Sequence, residues 1–297
     1  MPAGLLEIVS TVPPAVWGIL SALSFGTADF FARFTTLKFG QNRSLLATLA
    51  VGWLVFAAPY FTSSPAGLSL PETALVVVHG VLLALALLFL YRCLARGPIN
   101  LVAPIVAAHP VFIVVFAFAT GSRPSVLQWV LIVVIAVAVV VVTRYSQEAE
   151  SGEMRDSAAE RRTTIGLSLM TGLFYAGSVI AGQEATLRIG EVATLWLGHS
   201  VALACVLIAL RGGLRFADID LRWAGVLLLQ GVLNALGVLF LLAGSHGAYP
   251  EITALLSSEF AVVTIVLAAV FLRERMTVAQ FAGVLLIVLA TGTLSLQ

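Results

Sequence analysis

The sequence predicts an all-α integral membrane protein, with ten transmembrane helices in two inverted five-helix repeats. Three observations carry that expectation. Residues of the set AVILMFWYC make up 60% of the 297, charged residues only 10%, and the mean hydropathy is +1.05. A soluble domain averages roughly 45–50% apolar and about 25% charged residues, so this chain could not cover a water-facing surface. Ten stretches reach the ~20 mostly apolar residues that a bilayer crossing needs. The chain also repeats itself at a nearly constant offset.

The ten spans fall near 13–34, 44–62, 73–94, 98–120, 125–144, 164–183, 192–210, 222–243, 248–272 and 277–295. They are too long for strands and lack the alternation of a transmembrane barrel. Span 1 follows an N-terminus without a basic n-region or an A-x-A-like site, so no cleaved signal peptide is expected and span 1 itself serves as the insertion signal. Ser63-Ser64-Pro65 closes span 2, and Gly97-Pro98 closes span 3. Span 4 carries Pro104 and Pro110. Each removes a backbone hydrogen bond, and freed carbonyls in a membrane must face neighbours or a water-lined cavity, which makes span 4 a candidate cavity wall. Gly121-Ser122-Arg123-Pro124 separates it from span 5. Spans 5 and 10 have almost no interior polar residues, so they should lie at the periphery, where they suit dimer contacts. Gly212-Gly213 follows span 7, and Gly247 follows span 8.

The one long polar stretch, with Glu148, Glu150, Glu153, Arg155, Asp156, Glu160, Arg161 and Arg162, lies near the middle. It reads as a solvated linker, which divides the chain into 1–145, a linker 146–163, and 164–297. Cys93 and Cys205 sit in apolar stretches and fit buried thiols better than a disulfide or metal framework. The sparse charge excludes a disordered chain or a nucleic-acid partner.

Thr36-Leu37-Lys38-Phe39-Gly40-Gln41 matches Thr186-Leu187-Arg188-Ile189-Gly190-Glu191 at an offset of 150. Gly80-Val81-Leu82 matches Gly231-Val232-Leu233, and Leu88-Phe89-Leu90 matches Leu239-Phe240-Leu241, at 151. Arg123-Pro124-Ser125-x-x-Gln128 matches Arg275-Met276-Thr277-x-x-Gln280 at 152. Five spans per copy is an odd number, so the second copy enters the membrane from the opposite side. Inverted repeats of this kind are a common architecture of secondary transporters, with the substrate near the midplane between the halves.

Trp17-Gly18 followed by Gly26-Thr27-Ala28-Asp29-Phe30 resembles the first helix of the drug/metabolite transporter superfamily, EamA type. Phe271-Leu272-Arg273-Glu274-Arg275-Met276-Thr277-x-x-Gln280-x-x-Gly283 resembles that family's Leu-Gly-Glu-Arg-x-Ser-x-x-Gln-x-x-Gly junction, whereas the first half has Ser122 in place of the glutamate. The resemblance implies export of a small polar or amphipathic metabolite, amino-acid or drug-like, by alternating access. The other classes in view are a membrane-embedded enzyme and a non-transporting scaffold. The chain has no Walker A motif and no H-E-x-x-H, C-x-x-C or G-x-S-x-G, and its histidines lack metal-ligand spacing, so no cofactor or metal is expected.

Ionisable and polar groups inside apolar helices are the functional candidates. His109 and Glu259 align at offset 150, in the middle of spans 4 and 9. They could exchange a proton or hold a charged substrate group; the structural alternative is a static pair that braces the halves. Gln230 and Asn234 are one turn apart, and His79 aligns with Gln230, so a shared cavity or interhelical hydrogen bonding is expected. Phe25 and Tyr175 align as an aromatic pair that either flanks a substrate or packs. Asp29 reads as an i,i+4 partner of Arg33, and His199 as a histidine hydrogen-bonded between helices.

If loops alternate sides, one side holds fourteen of the sixteen Lys and Arg residues, and the side with both termini holds only Arg123 and Arg188. The positive-inside rule puts that first side in the cytoplasm and the termini outside. The family resemblance implies cytoplasmic termini, and the charge split is preferred. The expected location is the cell membrane, as a multi-pass protein of a bacterial inner membrane.

Overall fold

The computed structural model describes residues 12–62, 67–121, 123, 125–149, 158–210, 220–245, 253, 256–257, 259–273 and 276–295. Ser63-Ser64-Pro65, Ser122, Gly212-Gly213, Gly247, Glu251 and Glu274-Arg275 lie outside them. The described helices are α1 (Pro14–Phe39), α2 (Gln41–Thr62), α3 (Leu70–Arg96), α4 (Ile99–Ala107), α5 (Pro110–Ala119), α6 (Val126–Ala149), α7 (Ala158–Ile189), α8 (Glu191–Leu210), α9 (Leu221–Ser245), α10 (Phe260–Leu267, continued by a π turn Ala268–Leu272) and α11 (Val278–Ser295). No strand occurs among the described residues. Seven segments are long and apolar enough to cross a bilayer, α4 and α5 counting as one; shorter apolar helices stand at Val126–Val142, Phe260–Leu272 and Val278–Thr293.

The polar middle segment is more helical than expected. Helix α6 continues to Ala149 and α7 begins at Ala158, inside the expected linker. Glu160 in the first turn of α7 favours the positive end of the helix dipole. At ~1.5 Å per residue, the 32 residues of α7 span about 48 Å, well beyond a hydrocarbon core of about 30 Å. Its ends therefore stand outside the apolar layer.

The repeated Thr-Leu-x-x-Gly motif is a one-residue corner. Gly40 and Gly190 join α1 to α2 and α7 to α8 with φ of 85° and 82°, a region glycine enters without steric cost. Each donates its N–H to the threonine carbonyl four residues back, Thr36 at 3.0 Å and Thr186 at 2.9 Å.

The packing partners correspond in the same way. Helix α1 packs along α9, and α7 along α3; α2 packs on α9, and α8 on α3. Helices α6 and α11 pack on each other, with outer faces of valine, leucine and phenylalanine that include Val133, Val137, Phe281 and Leu289. Glycines permit the closest approaches. A Cβ on Gly80 would stand 2.5 Å from the Val201 Cβ, and one on Gly231 2.5 Å from the Val51 Cβ. Small residues at such crossings are the usual basis of helix association in lipid.

Helix directions follow from contacts at the ends. The C-terminal part of α1 meets the C-terminal part of α3, where the Arg33 guanidinium donates to the Leu94 carbonyl, and the start of α9, where Lys38 Nζ lies 4.2 Å from the Trp223 ring centroid. The start of α7 also lies at this end, with Thr164 against Gly97. Arg188, at the far end of α7, pairs with Glu184 and acts on Glu72 at the start of α3. Helices α1 and α7 thus run in opposite directions.

Gly80→Val and Gly231→Val should each lower stability by ~1–3 kcal/mol through overpacking. Thermal unfolding in mild detergent checks this. Gly225→Val, with nothing within 4 Å of its added Cβ, should leave the melting temperature unchanged.

Candidate functional site

The site begins with two interruptions of helix. Span 4 divides at Ala108-His109, where Ala108 and His109 donate to carbonyls three residues back, Ile105 and Val106. Pro110 then occupies the first turn of α5, where its missing N–H costs nothing. Span 9 has the same geometry at Glu259, with Phe260 where span 4 has Pro110. Glu259 N–H reaches the Leu256 carbonyl at 3.3 Å, as His109 N–H reaches Val106 at 3.1 Å. Val262 N–H reaches the Glu259 carbonyl at 3.0 Å, as Phe112 N–H reaches His109 at 2.9 Å. His109 and Glu259 are thus the N-cap residues of α5 and α10. Half-helices that start inside a bundle aim their positive ends at the interior, as in many transporter sites.

Each interruption is covered by an aromatic ring from the other half. Tyr175 of α7 stands edge-on to the His109 imidazole, centroids 4.8 Å apart at 88°. Phe25 of α1 meets Phe260, next to Glu259, at 6.4 Å and 66°. The covering helices come close because they carry glycine. A Cβ on Gly172 would lie 3.2 Å from the Phe112 ring, and one on Gly26 would lie 2.6 Å from the Phe260 carbonyl oxygen. Thr264 adds a hydrogen bond of 3.1 Å to the Gly26 carbonyl.

His109 and Glu259 do not form the static hydrogen-bonded brace weighed from sequence. His109 Nδ1 and Glu259 Oε2 are each buried without a hydrogen-bond partner among the described residues. The two aligned residues occupy equivalent interruptions, one in each half.

Between α1, α2, α3 and α9 lies a small cavity lined by Asp29, Thr48, Tyr91, Gln230 and Asn234, with Ala28, Leu87 and Leu90 as its apolar wall. Gln230 is fully buried and organises one side. Its Oε1 accepts from Thr35 at 2.6 Å, and its Nε2 donates to Thr48 at 2.5 Å and to Tyr91 at 2.7 Å. Thr48 and Tyr91 share a further bond of 2.6 Å, and Thr35 bonds Ser44. Four helices are tied together through one amide.

His79, the repeat partner of Gln230, does not line this cavity. Its ring is wedged between Gly182 of α7 and Gly198 of α8, where a Cβ added at either glycine would collide with the imidazole. Its Nδ1 donates to the Ser178 carbonyl at 2.8 Å. The shared cavity expected for the pair is therefore not formed. Imidazole fills the space left by the glycines, whereas the opposite half places hydroxyls around an amide. His199 also differs from expectation: its Nδ1 donates at 2.8 Å to Leu195 on its own helix, and its ring packs edge-on to Phe56 at 5.1 Å.

Asp29 is the residue the i,i+4 rule misplaced. That rule describes water-exposed helix surfaces. Here Arg33 turns to the open carbonyl at the end of α3, which leaves Asp29 on the cavity wall. The hydroxyl set Thr35, Ser44, Thr48 and Tyr91 was also missed. The spacing of Ser44 and Thr48, one turn apart, was the available signal.

An all-helical bundle with apolar outer faces, interrupted helices and a small interior polar cavity defines a polytopic membrane protein. The sequence profile of the EamA-like transporter family matches residues 12–144 and again 162–296. The chain belongs to this family and is a membrane transporter of the drug/metabolite type, built from two EamA repeats. Its family members are transporters, not enzymes. No curated protein matches the sequence. A solved crystal structure of a protein aligns with a TM-score of 0.61 at 16% identity over 95% of both chains, which is a likeness of fold.

Gln230→Leu should cost ~1–3 kcal/mol, because four hydroxyls lose the amide that joins them. Chemical or thermal unfolding in detergent measures it. Thr36→Val, at a hydroxyl outside this network, should cost less.

Proposed function

We propose that the chain is a secondary transporter of ten spans in two inverted repeats, which exports a small polar or amphipathic metabolite by alternating access. The observation that carries the reading is the crossed cover of the two helix interruptions. Each half supplies the aromatic lid for the other half's break, Tyr175 over His109 and Phe25 beside Phe260 and Glu259. Rocking of one half against the other would shift both covers at once. Such motion about a fixed site between repeats is how alternating access works in inverted-repeat carriers. The exchange of packing partners between halves and the opposed directions of α1 and α7 support the same reading. Outward direction rests on family resemblance.

His109 and Glu259 are the coupling residues in this proposal. An imidazole and a carboxylate at equivalent interruptions can pass a proton or hold a charged part of the solute. Asn234 and Gln230, on the wall of the small polar cavity, contact the solute as it passes, and Tyr175 and Phe25, at the two interruptions, flank it; His79 braces α3 against α7 and α8. The apolar outer faces of α6 and α11 form the contact of a homodimer within the bilayer. The cell membrane, a bacterial inner membrane, is the proposed location.

The cytoplasmic side is the one that collects the arginines. Arg33, Lys38, Leu94 and Trp223 meet at one end of the bundle, which supports a common side for the loops after spans 1, 3 and 7. A single cysteine added at either terminus should therefore react with an impermeant maleimide in intact cells; protection until the membrane is opened would reverse the orientation.

Counterflow of amino acids, nucleosides and drug-like solutes in proteoliposomes tests the function. Saturable exchange of at least one solute is expected, and failure across the whole panel overturns the transport reading. Glu259→Gln should abolish gradient-driven transport, or its pH dependence, while inserting and melting as the parent does. A stable Glu259→Gln protein with full pH-dependent transport removes Glu259 from the mechanism.

A further inference from the structure

We infer that the corner where the end of α1 meets the start of α9 is a docking site for the headgroup of an anionic phospholipid of the adjoining leaflet. The site is separate from the interior cavity and stands apart from the transport reading. Helix α1 has 26 residues and spans about 39 Å, more than a hydrocarbon core of about 30 Å, so its ends reach headgroup depth. Lys38, in its last turn, is the only lysine of the chain.

The second copy of the repeat has the same corner with different chemistry. At the offset of 150, Lys38 corresponds to Arg188, Phe34 to Glu184 and Gln41 to Glu191; at 151, Trp223 corresponds to Glu72 and Arg222 to Pro71. Arg188 pairs with Glu184 at 2.6 Å, and Glu72, in the first turn of α3, accepts from the Ser69 N–H at 2.7 Å. At the α1–α9 corner each of those carboxylates is replaced, two of them by aromatic rings. Lys38 Nζ lies 4.2 Å from the Trp223 ring centroid. That ring stacks on Phe34 at 5.5 Å and 21°, and meets Phe39 edge-on at 5.4 Å and 74°. A ring face holds an ammonium in place without cancelling its charge, whereas a carboxylate cancels it. Among the described residues, no carboxylate pairs with Lys38.

The charge balance inverts with these replacements. Among the described residues, the α1–α9 corner carries Lys38, Arg43 and Arg222 against Asp220, and the α7–α3 corner carries Arg188 against Glu72, Glu184 and Glu191. Phe34 and Leu37, 40% and 55% exposed, share a helix face with Lys38 and continue it as an apolar surface toward the bilayer. An anion that carries an acyl chain fits both parts. Its phosphate meets Lys38 and the exposed Arg222, and its chain lies along Phe34 and Leu37. Basic, tryptophan-bearing edges of membrane proteins attract anionic lipid in this way. A soluble anion would gain nothing from the apolar face.

The test uses the full chain in a neutral detergent and two lipids with the same acyl chains, palmitoyl-oleoyl phosphatidylglycerol and phosphatidylcholine. Native mass spectrometry counts the bound lipid. Phosphatidylglycerol should bind about tenfold more tightly, and Lys38→Gln and Arg222→Gln should each weaken it about fivefold while leaving phosphatidylcholine unchanged, the size expected for one cation beside an anionic headgroup. Lys38→Arg should retain the preference, and so should Arg188→Gln at the equivalent corner. The parent chain gives a second readout that needs no variant. Its single lysine is open to acetylation by a succinimidyl ester, followed at the Lys38 peptide. Phosphatidylglycerol should slow that acetylation severalfold more than phosphatidylcholine does, and glycerol phosphate at the same concentration should give no protection. Equal binding of the two lipids overturns the inference. So does a preference that survives the paired Lys38→Gln and Arg222→Gln substitutions, one lost equally in Arg188→Gln, or equal protection by the soluble phosphate.

Discussion

In a bilayer every backbone amide and carbonyl must find its partner inside the protein, and this requirement shapes the molecule. An unbroken helix meets it trivially. This chain departs from that solution at His109 and at Glu259, and the rest of the fold is arranged around the consequences. Freed groups are taken up locally by bonds three residues apart, at the same positions in both halves. The breaks can persist only if nothing polar is left facing lipid. Helices α1 and α7 therefore close over them, and glycines at 26 and 172 let those helices come near enough. Aromatic rings complete the cover.

Much of this was legible, and the reasons differ from residue to residue. The constant offset near 150 made His109 and Glu259 equivalent before any coordinates, because a duplicated backbone keeps its breaks where it keeps its register. Pro110 announced one interruption by its chemistry. The other has no proline, so only the repeat could point to it. Periodicity gave the helices but not their ends. The apolar pattern of span 6 stops at the membrane surface, whereas the hydrogen-bonded ladder of α7 runs on from Ala158 to Ile189. Hydropathy reads solvent, not hydrogen bonds.

The polar interior was harder to read. Thr35, Ser44, Thr48 and Tyr91 are ordinary residues one by one, and become a network only when α1, α2, α3 and α9 meet at Gln230. Asp29 was read by a rule for helices in water, where Arg33 one turn away is a natural partner. At the end of a membrane bundle an unsatisfied helix carbonyl competes with that carboxylate for the arginine. The last carbonyls of α3 have no intrahelical donor, and a guanidinium can satisfy one while its stem stays along the apolar surface.

The halves agree in backbone and disagree in chemistry at one place, and that disagreement gives the cavity its character. Where the first contact region has Thr48 beside Gln230, the second has Gly198 beside His79. The glycine leaves a space that the imidazole fills, so the α3–α7–α8 junction is plugged. The α1–α2–α9 junction instead holds the Gln230 amide network, with a small polar cavity beside it. A strictly symmetric pair would offer two identical pockets and two identical charges. At the equivalent positions Val179, Leu242 and Leu83 replace Asp29, Tyr91 and Asn234, so the second copy lacks this set of polar groups. Duplication thus supplied a framework with two equivalent breaks that can move together, and divergence of a few side chains confined this polar pocket to one side of the pseudo-symmetric pair.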